Sequence, residues 1–342
     1  MSVSIIILSN LDDRRDWLVH RLLYLDHAGF DGEVVVGIWG GHDQIPFVQK
    51  KCQELIKRCR ISIFPQDGSL LAPRRIVELA DKCQEDFVVM QGDDDFIVPS
   101  ALAKPVEILR RDPTVVAAQG RCIAMMLHGG ITINMQFIPF PVWEALEDDV
   151  IERYCELMKH YSFTWHAVYR KPQFIERMRY MIDMYDNAKD AIFFESLGDL
   201  YSVIKGKLVI FNELFLIRGE HSQNGSKTLR AGINFEMPPY LLLSPHFSQT
   251  YKYFEGKCIE LFQSMGVNTA DETTMRRILD GMMSFMARLF YKTRDRYDPD
   301  ELVFQANYQN LVNDELMSTF QKIYETHKII LRAKEKSGSA AQ

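Results

Sequence analysis

Four short apolar runs, at 3–8, 34–39, 61–64 and 87–90, alternate with stretches whose apolar residues recur at helical spacing, and this alternation constrains the fold more than any other feature. The first run is β-branched and nearly continuous, the pattern of a strand buried on both faces inside a parallel sheet. Ser9-Asn10-Leu11-Asp12-Asp13 reads as a loop, after which Trp17, Leu18, Leu22, Leu23 and Leu25 keep helical spacing up to Gly29. Gly32 opens the second run and Gly40-Gly41 ends it, and helices are predicted over 47–58 and 74–83 on either side of the third. Each parallel crossover must return over a face of the sheet, so the order implies an α/β chain with a mainly parallel sheet sandwiched by helices.

Composition narrows the function classes. The 342 residues are 47% hydrophobic and 25% charged, ordinary values for a folded chain of about two domains' length. Forty basic and forty-six acidic side chains leave a net charge of −6, which gives no general attraction to a nucleic-acid backbone. The cysteines Cys52, Cys59, Cys83, Cys122, Cys155 and Cys258 show no C-x-x-C spacing, so neither a zinc site nor a disulfide framework is signalled, and a reducing cytoplasm is expected. The run at 3–8 has no basic leader and too few apolar positions for a signal peptide or a membrane span.

The fourth run stops at Gln91-Gly92, and Asp93-Asp94-Asp95 follows at once. In an open α/β sheet ligands bind outside the carboxyl ends of the strands, which is where this triplet falls. Three adjacent carboxylates repel one another, and a hard divalent cation such as Mg²⁺ or Mn²⁺, completing its shell with phosphate oxygens, would relieve that repulsion. An acidic turn that caps a helix starting at Pro99-Ser100 accounts for the triplet equally well.

The segment Asp93-Asp94-Asp95-Phe96-Ile97-Val98-Pro99-Ser100-Ala101-Leu102, the opening Val3-Ser4-Ile5-Ile6-Ile7 with Asn10, the second strand Glu33-Val34-Val35-Val36, and Arg218-Gly219-Glu220-His221-Ser222 together resemble the inverting family 2 glycosyltransferases of GT-A fold. The resemblance covers about 2–225, with gaps. It implies a GT-A domain over 1–225, with a nucleotide-binding half over 1–100 and an acceptor half over 101–225, then a connecting or lid segment over 226–250. An α-helical C-terminal domain over 251–336, with helices predicted at 251–265, 271–293 and 299–333, and a disordered tail over 337–342 complete the expected organisation.

The same resemblance implies metal-dependent transfer of a sugar from a nucleotide-diphosphate sugar to a hydroxyl acceptor, in polysaccharide or glycan synthesis. Asp94 and Asp95 fall on the family's last two acidic positions and Gly92 on its first, with Asp93 offered in its place. Asp93, Asp94, Asp95 and His221 are the implied ligands of Mn²⁺ or Mg²⁺. Ser9, Asn10, Arg74, Arg75, Asp93, Asp94 and Arg218 are the implied contacts to the nucleotide sugar, the arginines because a guanidinium pairs with phosphate oxygens. The family's second strand usually ends in aspartates that contact the base, whereas this chain has Ile38-Trp39-Gly40-Gly41, so the base stays open.

Inversion needs a base that takes the acceptor's proton. The family carries it about a dozen residues before the glycine that opens its final strand, here Gly206, which leads back to Glu195, with Asp190 and Asp199 close by. Trp165 and His166 fall on the acceptor side, where an aromatic face packs against sugar C–H groups, although core packing explains Trp165 as well. Among the C-terminal helices, Met282, Met283, Phe285, Met286, Leu289 and Phe290 form an apolar face suited to helix packing, or to a homo-oligomer interface. The basic stretch at 327–334 suits either an anionic lipid surface, as peripheral contact, or a helix end. Two alternatives remain open: a nucleotidyltransferase, which would normally place a Gly-rich, lysine-containing loop where this chain has Ser9-Asn10-Leu11-Asp12, and a catalytically silent binding or assembly module.

Overall fold

A computed structural model describes residues 2–128, 132–139, 143–160, 164–188, 191–220, 245–291 and 314–338. Its N-terminal part is a run of parallel crossovers. Strand β1 (Val3–Asn10) leads into α1 (Leu11–His27), β2 (Glu33–Gly40), α2 (Ile45–Leu55), β3 (Arg60–Pro65), α3 (Ala72–Lys82) and β4 (Phe87–Gly92). The four strands pair in parallel in the order β3-β2-β1-β4. The loop expected at 9–13 is shorter than its sequence suggests. Asn10 accepts a hydrogen bond from the Asp12 amide at 3.1 Å and caps α1, and Asp12 and Asp13 lie in the first turn, where the helix dipole favours acids.

After β4 come β5 (Phe96–Ile97), α4 (Ala103–Arg111), β6 (Val115–His128) and β7 (Thr132–Pro139). Next are α5 (Val150–His160), β8 (Val168–Arg170), α6 (Lys171–Ala188), α7 (Ala191–Lys205) and β9 (Lys207–Glu220). The sheet continues beyond β4 as β8-β6-β9-β5, with β7 hydrogen-bonded to β6. Strand β8 is antiparallel to both β4 and β6, while β6 and β9 run parallel. β9 continues well past the short strand expected from Gly206, and this length carries Arg218 and Gly219 to the end of β4.

Alternation along β1 assigns its side chains to two cores, as the two-residue period of a strand requires. Ile6 joins Val35, Val88 and Met90 on one face, and Val3, Ile5 and Ile7 join Val34 and Val36 on the other. The C-terminal helices α8 (Pro245–Ser264), α9 (Glu272–Tyr291) and α10 (Asp314–Gly338) divide between these faces. Phe254, Cys258, Leu261 and Phe262 of α8 and Ile278 and Met282 of α9 complete the first core, whereas Leu316, Phe320 and Ile323 of α10 complete the second. Among the described residues these helices therefore share the cores of the α/β part and do not enclose one of their own. Met282 is buried and supports the packing reading of its face, Met283 is 61% exposed, and the side chains of Phe285, Met286, Leu289 and Phe290 lie outside the described set. α10 runs to Gly338, into the stretch expected to be disordered. No helix among the described residues is long and apolar enough to cross a membrane.

Candidate active site

The acidic triplet occupies the turn after β4, where the Asp95 amide donates to the Gly92 carbonyl at 3.2 Å and the chain enters β5. β5 pairs antiparallel with β9 at Phe96↔Ile217 and Ile97↔Leu216, which brings Gly219 onto the turn. A Cβ at Gly219 would lie 2.1 Å from the Asp94 carbonyl oxygen, so only glycine permits this approach. The Gly219 amide donates to Asp95 Oδ1 at 3.1 Å, and Arg218 beside it opposes the rise in pKa that burial imposes on Asp95.

Each carboxylate has protein partners. Asp93 Oδ2 accepts from Ser9 Oγ at 2.6 Å at the end of β1, and Asp93 Oδ1 accepts from Arg14 Nη1 at 2.5 Å. The same nitrogen lies 3.3 Å from Asp94 Oδ2. Arg21, seven residues and two helical turns further along α1, is fully buried, stands over the Phe96 ring and donates from Nη2 to the Asp94 carbonyl at 2.8 Å. Burial pushes the Asp93 carboxyl up to about 6, against the pull of Arg14. Burial also lowers the Arg21 guanidinium to about 10, although the neighbouring aspartates oppose the shift.

Asp95 has a separate arrangement. His166, buried beneath the turn, places Nδ1 2.8 Å from the Met90 carbonyl and Nε2 3.2 Å from Asp95 Oδ2. A carbonyl only accepts, so Nδ1 carries the hydrogen and a neutral ring presents Nε2 as an acceptor. At 3.2 Å the pair shares one proton, and burial favours the neutral arrangement in which Asp95 holds it. The electrostatics agree: burial, with Asp94 second, lifts Asp95 to about 8, and burial lowers His166 to about 4.

These observations bear on the divalent cation expected from the sequence. Both Asp93 oxygens and both Asp95 oxygens contact protein groups, and Asp94 Oδ2 shares the Arg14 guanidinium. No group of three His, Cys, Asp or Glu among the described residues is arranged to hold a metal ion, and His221 lies outside those residues. As arranged, the triplet does not fit a divalent ion.

The remaining predicted positions spread along the sheet edge and beyond it. Asn10 directs its side chain to the helix cap. Arg74 is exposed in the first turn of α3 and pairs with Asp186. Arg75 is buried, with its guanidinium carbon 4.8 Å from the centre of the Trp39 ring, and its Nε and Nη1 have no hydrogen-bond partner. Trp39, at the end of β2, is 36% exposed and presents an aromatic face at the carboxyl edge of the sheet. Trp165 is half-buried, 5.5 Å from the Arg177 guanidinium carbon. Asp199 is buried and accepts from the Thr164 amide at 3.0 Å and from the Thr164 hydroxyl, with Arg177 Nη2 at 3.4 Å, so it is held as a structural ion pair. Glu195 belongs to α7, its side chain lies outside the described set, and Asp190 and His221 fall outside the described residues.

The structure thus gathers Ser9, Asp93, Asp94, Asp95, His166 and Arg218, while Arg74 pairs with Asp186. Arg14 and Arg21 were missed from the sequence. Their signal was there: two arginines seven apart, on one face of a helix that starts at the carboxyl end of β1.

A parallel β3-β2-β1-β4 half that closes on an acidic turn, extended by a mixed half and covered by helices on both faces, is the GT-A architecture. Among solved structures, S. aureus TarS 1-349 superimposes with a TM-score of 0.54 at 13% identity, over 98% of this chain and 92% of that one. TarS 1-349 in complex with UDP-GlcNAc gives 0.56 at 12% identity, over 98% and 92%. A mannosyltransferase from Pyrobaculum calidifontis in complex with GDP-Man and Mn²⁺ gives 0.43 at 11% identity, over 96% and 86%. No family model and no curated protein matches the chain.

Proposed function

We propose that this protein transfers a sugar from a nucleoside diphosphate sugar to a hydroxyl acceptor, by direct displacement with inversion, in the assembly of a glycan. The observation that carries the reading is the acidic turn at the carboxyl end of β4, beside Ser9 of β1 and within reach of Arg14, Arg21 and Arg218. This is the sheet edge at which an open α/β fold takes a nucleotide, and the arginines supply the charge a diphosphate needs. The superposition on TarS over nearly the whole chain supports the reading, since that protein holds UDP-GlcNAc.

In this reading the base rests on the Trp39 face, with the diphosphate beside Ser9 and Arg14. His166 and the protonated Asp95 fix the turn from beneath and stay out of the chemistry. Glu195, near the start of α7, is the proposed base that takes the acceptor's proton, with Asp190 just before it as the other candidate. Asp199 is not proposed as the base because it is buried and its Oδ1 is held by Thr164 and Arg177. Trp165 is the proposed platform for the acceptor.

The test is a panel of UDP, GDP, CDP and ADP followed by thermal unfolding, with the corresponding nucleotide sugars then assayed for release of the diphosphate. Stabilisation by one diphosphate and turnover of its sugar support transfer. A preference for nucleoside triphosphates, or no response to any nucleotide, overturns it.

A further inference from the structure

We infer that Arg14 is the resident counter-ion of the acidic turn, and that it supplies to a bound diphosphate the positive charge a divalent cation would otherwise bring. The inference rests on the nucleotide-sugar reading for its second half only; the first half concerns the cation position itself.

Three observations converge on Arg14. Its Nη1 lies 2.5 Å from Asp93 Oδ1 and 3.3 Å from Asp94 Oδ2, so one positive group already bridges the two carboxylates on which an ion would have to sit. Asp93 Oδ2 is committed to Ser9, and both Asp95 oxygens contact Gly219 and His166. A divalent ion would have to displace Arg14 to gain a second carboxylate. Arg14 keeps a 16% exposed side chain, beside 14% for Asp94 and only 4% for Asp93, so the arginine stands with Asp94 on the open side of the turn.

Its place in the chain gives it the geometry for this. Arg14 lies one turn into α1, whose N-terminus opens at the end of β1 beside the acidic turn. A guanidinium presents donors in a planar fork, so one edge can stay on the carboxylates while another turns to phosphate oxygens. The Asp93 and Asp94 charges outweigh the burial cost and raise the Arg14 pKa, so it stays charged at any working pH.

The experiment has two arms. In the first, the electron paramagnetic resonance spectrum of Mn²⁺ is recorded with the wild type, Arg14→Ala and Arg14→Lys, each checked for folding by its thermal midpoint. The wild type and Arg14→Lys should leave the spectrum of free Mn²⁺ unchanged, and Arg14→Ala, which takes the guanidinium off Asp93 and Asp94, should gain Mn²⁺ binding. A wild-type Mn²⁺ signal that disappears in Asp94→Ala overturns the inference and leaves the nucleotide reading standing.

In the second arm, the tightest of UDP, GDP, CDP and ADP is titrated calorimetrically in EDTA and in Mn²⁺. The wild type should bind with Kd values within about twofold of each other, and Arg14→Ala should bind at least about tenfold more weakly in EDTA, the loss expected for a charge-assisted hydrogen bond. Arg14→Lys should fall between, since it keeps the charge and loses the fork. Binding that requires Mn²⁺, or an Arg14→Ala affinity equal to wild type, overturns the inference. Failure of the folded wild type to bind any of the four under either condition overturns the nucleotide reading, and the first arm still decides whether Arg14 holds the cation position.

Discussion

Asp95 Oδ2 and His166 Nε2 lie 3.2 Å apart, both side chains buried, and burial, which disfavours charge on either, keeps the proton between them on the carboxyl while the other nitrogen of His166 donates to the Met90 carbonyl. A neutral pair beneath the acidic turn lowers the charge buried there without a second cation. It also ties the stability of the turn to pH.

Burial lifts Asp95 to about 8 in the fold, while an unfolded carboxyl titrates near ~3.9. Between those values the folded state holds a proton that the unfolded state has lost, so stability from this group is full at low pH and declines as pH rises toward 8. Asp95→Asn keeps the shape, accepts from Gly219 and donates to His166, yet cannot titrate. Its thermal midpoint should gain on the wild type from pH 5 to pH 8, at about 2–4 °C per kcal/mol for a chain of this size. His166 shifts the opposite way in both proteins and cancels in the comparison. A gap between the two midpoints that stays constant with pH would place the proton elsewhere.

Trp39 covers Arg75 with one face and is 36% exposed. If a base stacks on it, Trp39→Ala should weaken nucleoside diphosphate binding about tenfold, since base–aromatic stacking contributes ~1–3 kcal/mol. Calorimetric titration decides this, and an unchanged Kd would move the base to another part of the edge.

Asp199 and Arg177 form a buried pair at 3.4 Å, with Arg177 fully enclosed. Asp199→Ala should cost about 3–5 kcal/mol in urea unfolding, because it leaves a buried guanidinium without its counter-charge. A variant with normal stability and no turnover would instead assign Asp199 to the chemistry.

Glu195→Gln should keep nucleotide affinity and lose roughly 10²–10⁴-fold in turnover, the usual contribution of a general base. Retained turnover would remove Glu195 from the mechanism and leave Asp190 to be tested in the same assay.

Phe320 of α10 is buried in the same core as Ile5 and Val36. Because this helix shares the core of the α/β part, Phe320→Ala should shift a single cooperative unfolding transition by about 3–5 kcal/mol. Two resolved transitions, only one of them moved, would show a helical domain that folds independently.

Much of the parallel half was legible in the sequence. Val3, Ile5, Ile6 and Ile7 could satisfy a β-branched apolar run only as a strand covered on both faces, and Gly29, Gly32 and Gly40 punctuate the following elements. β6 was not legible. Ala117, Ala118 and Gly120 have low strand propensity, and they are extended because β8 and β9 flank them, a condition set by residues far along the chain. The loop assigned to 9–13 failed for a local reason, since the cap made by Asn10 lets α1 begin directly at the strand end.

The sequence by itself determined a layered α/β chain with an acidic turn at the carboxyl edge of its sheet, because strand burial, glycine breaks and the position of the triplet all depend on near neighbours. It could not determine the state of that turn. Ser9 and Arg14 meet Asp93 across 84 and 79 residues, and Gly219 meets Asp95 across 124. Whether three carboxylates face an ion, an arginine or a histidine depends on which distant groups the sheet order brings within hydrogen-bonding distance, and that was decided only by the tertiary structure.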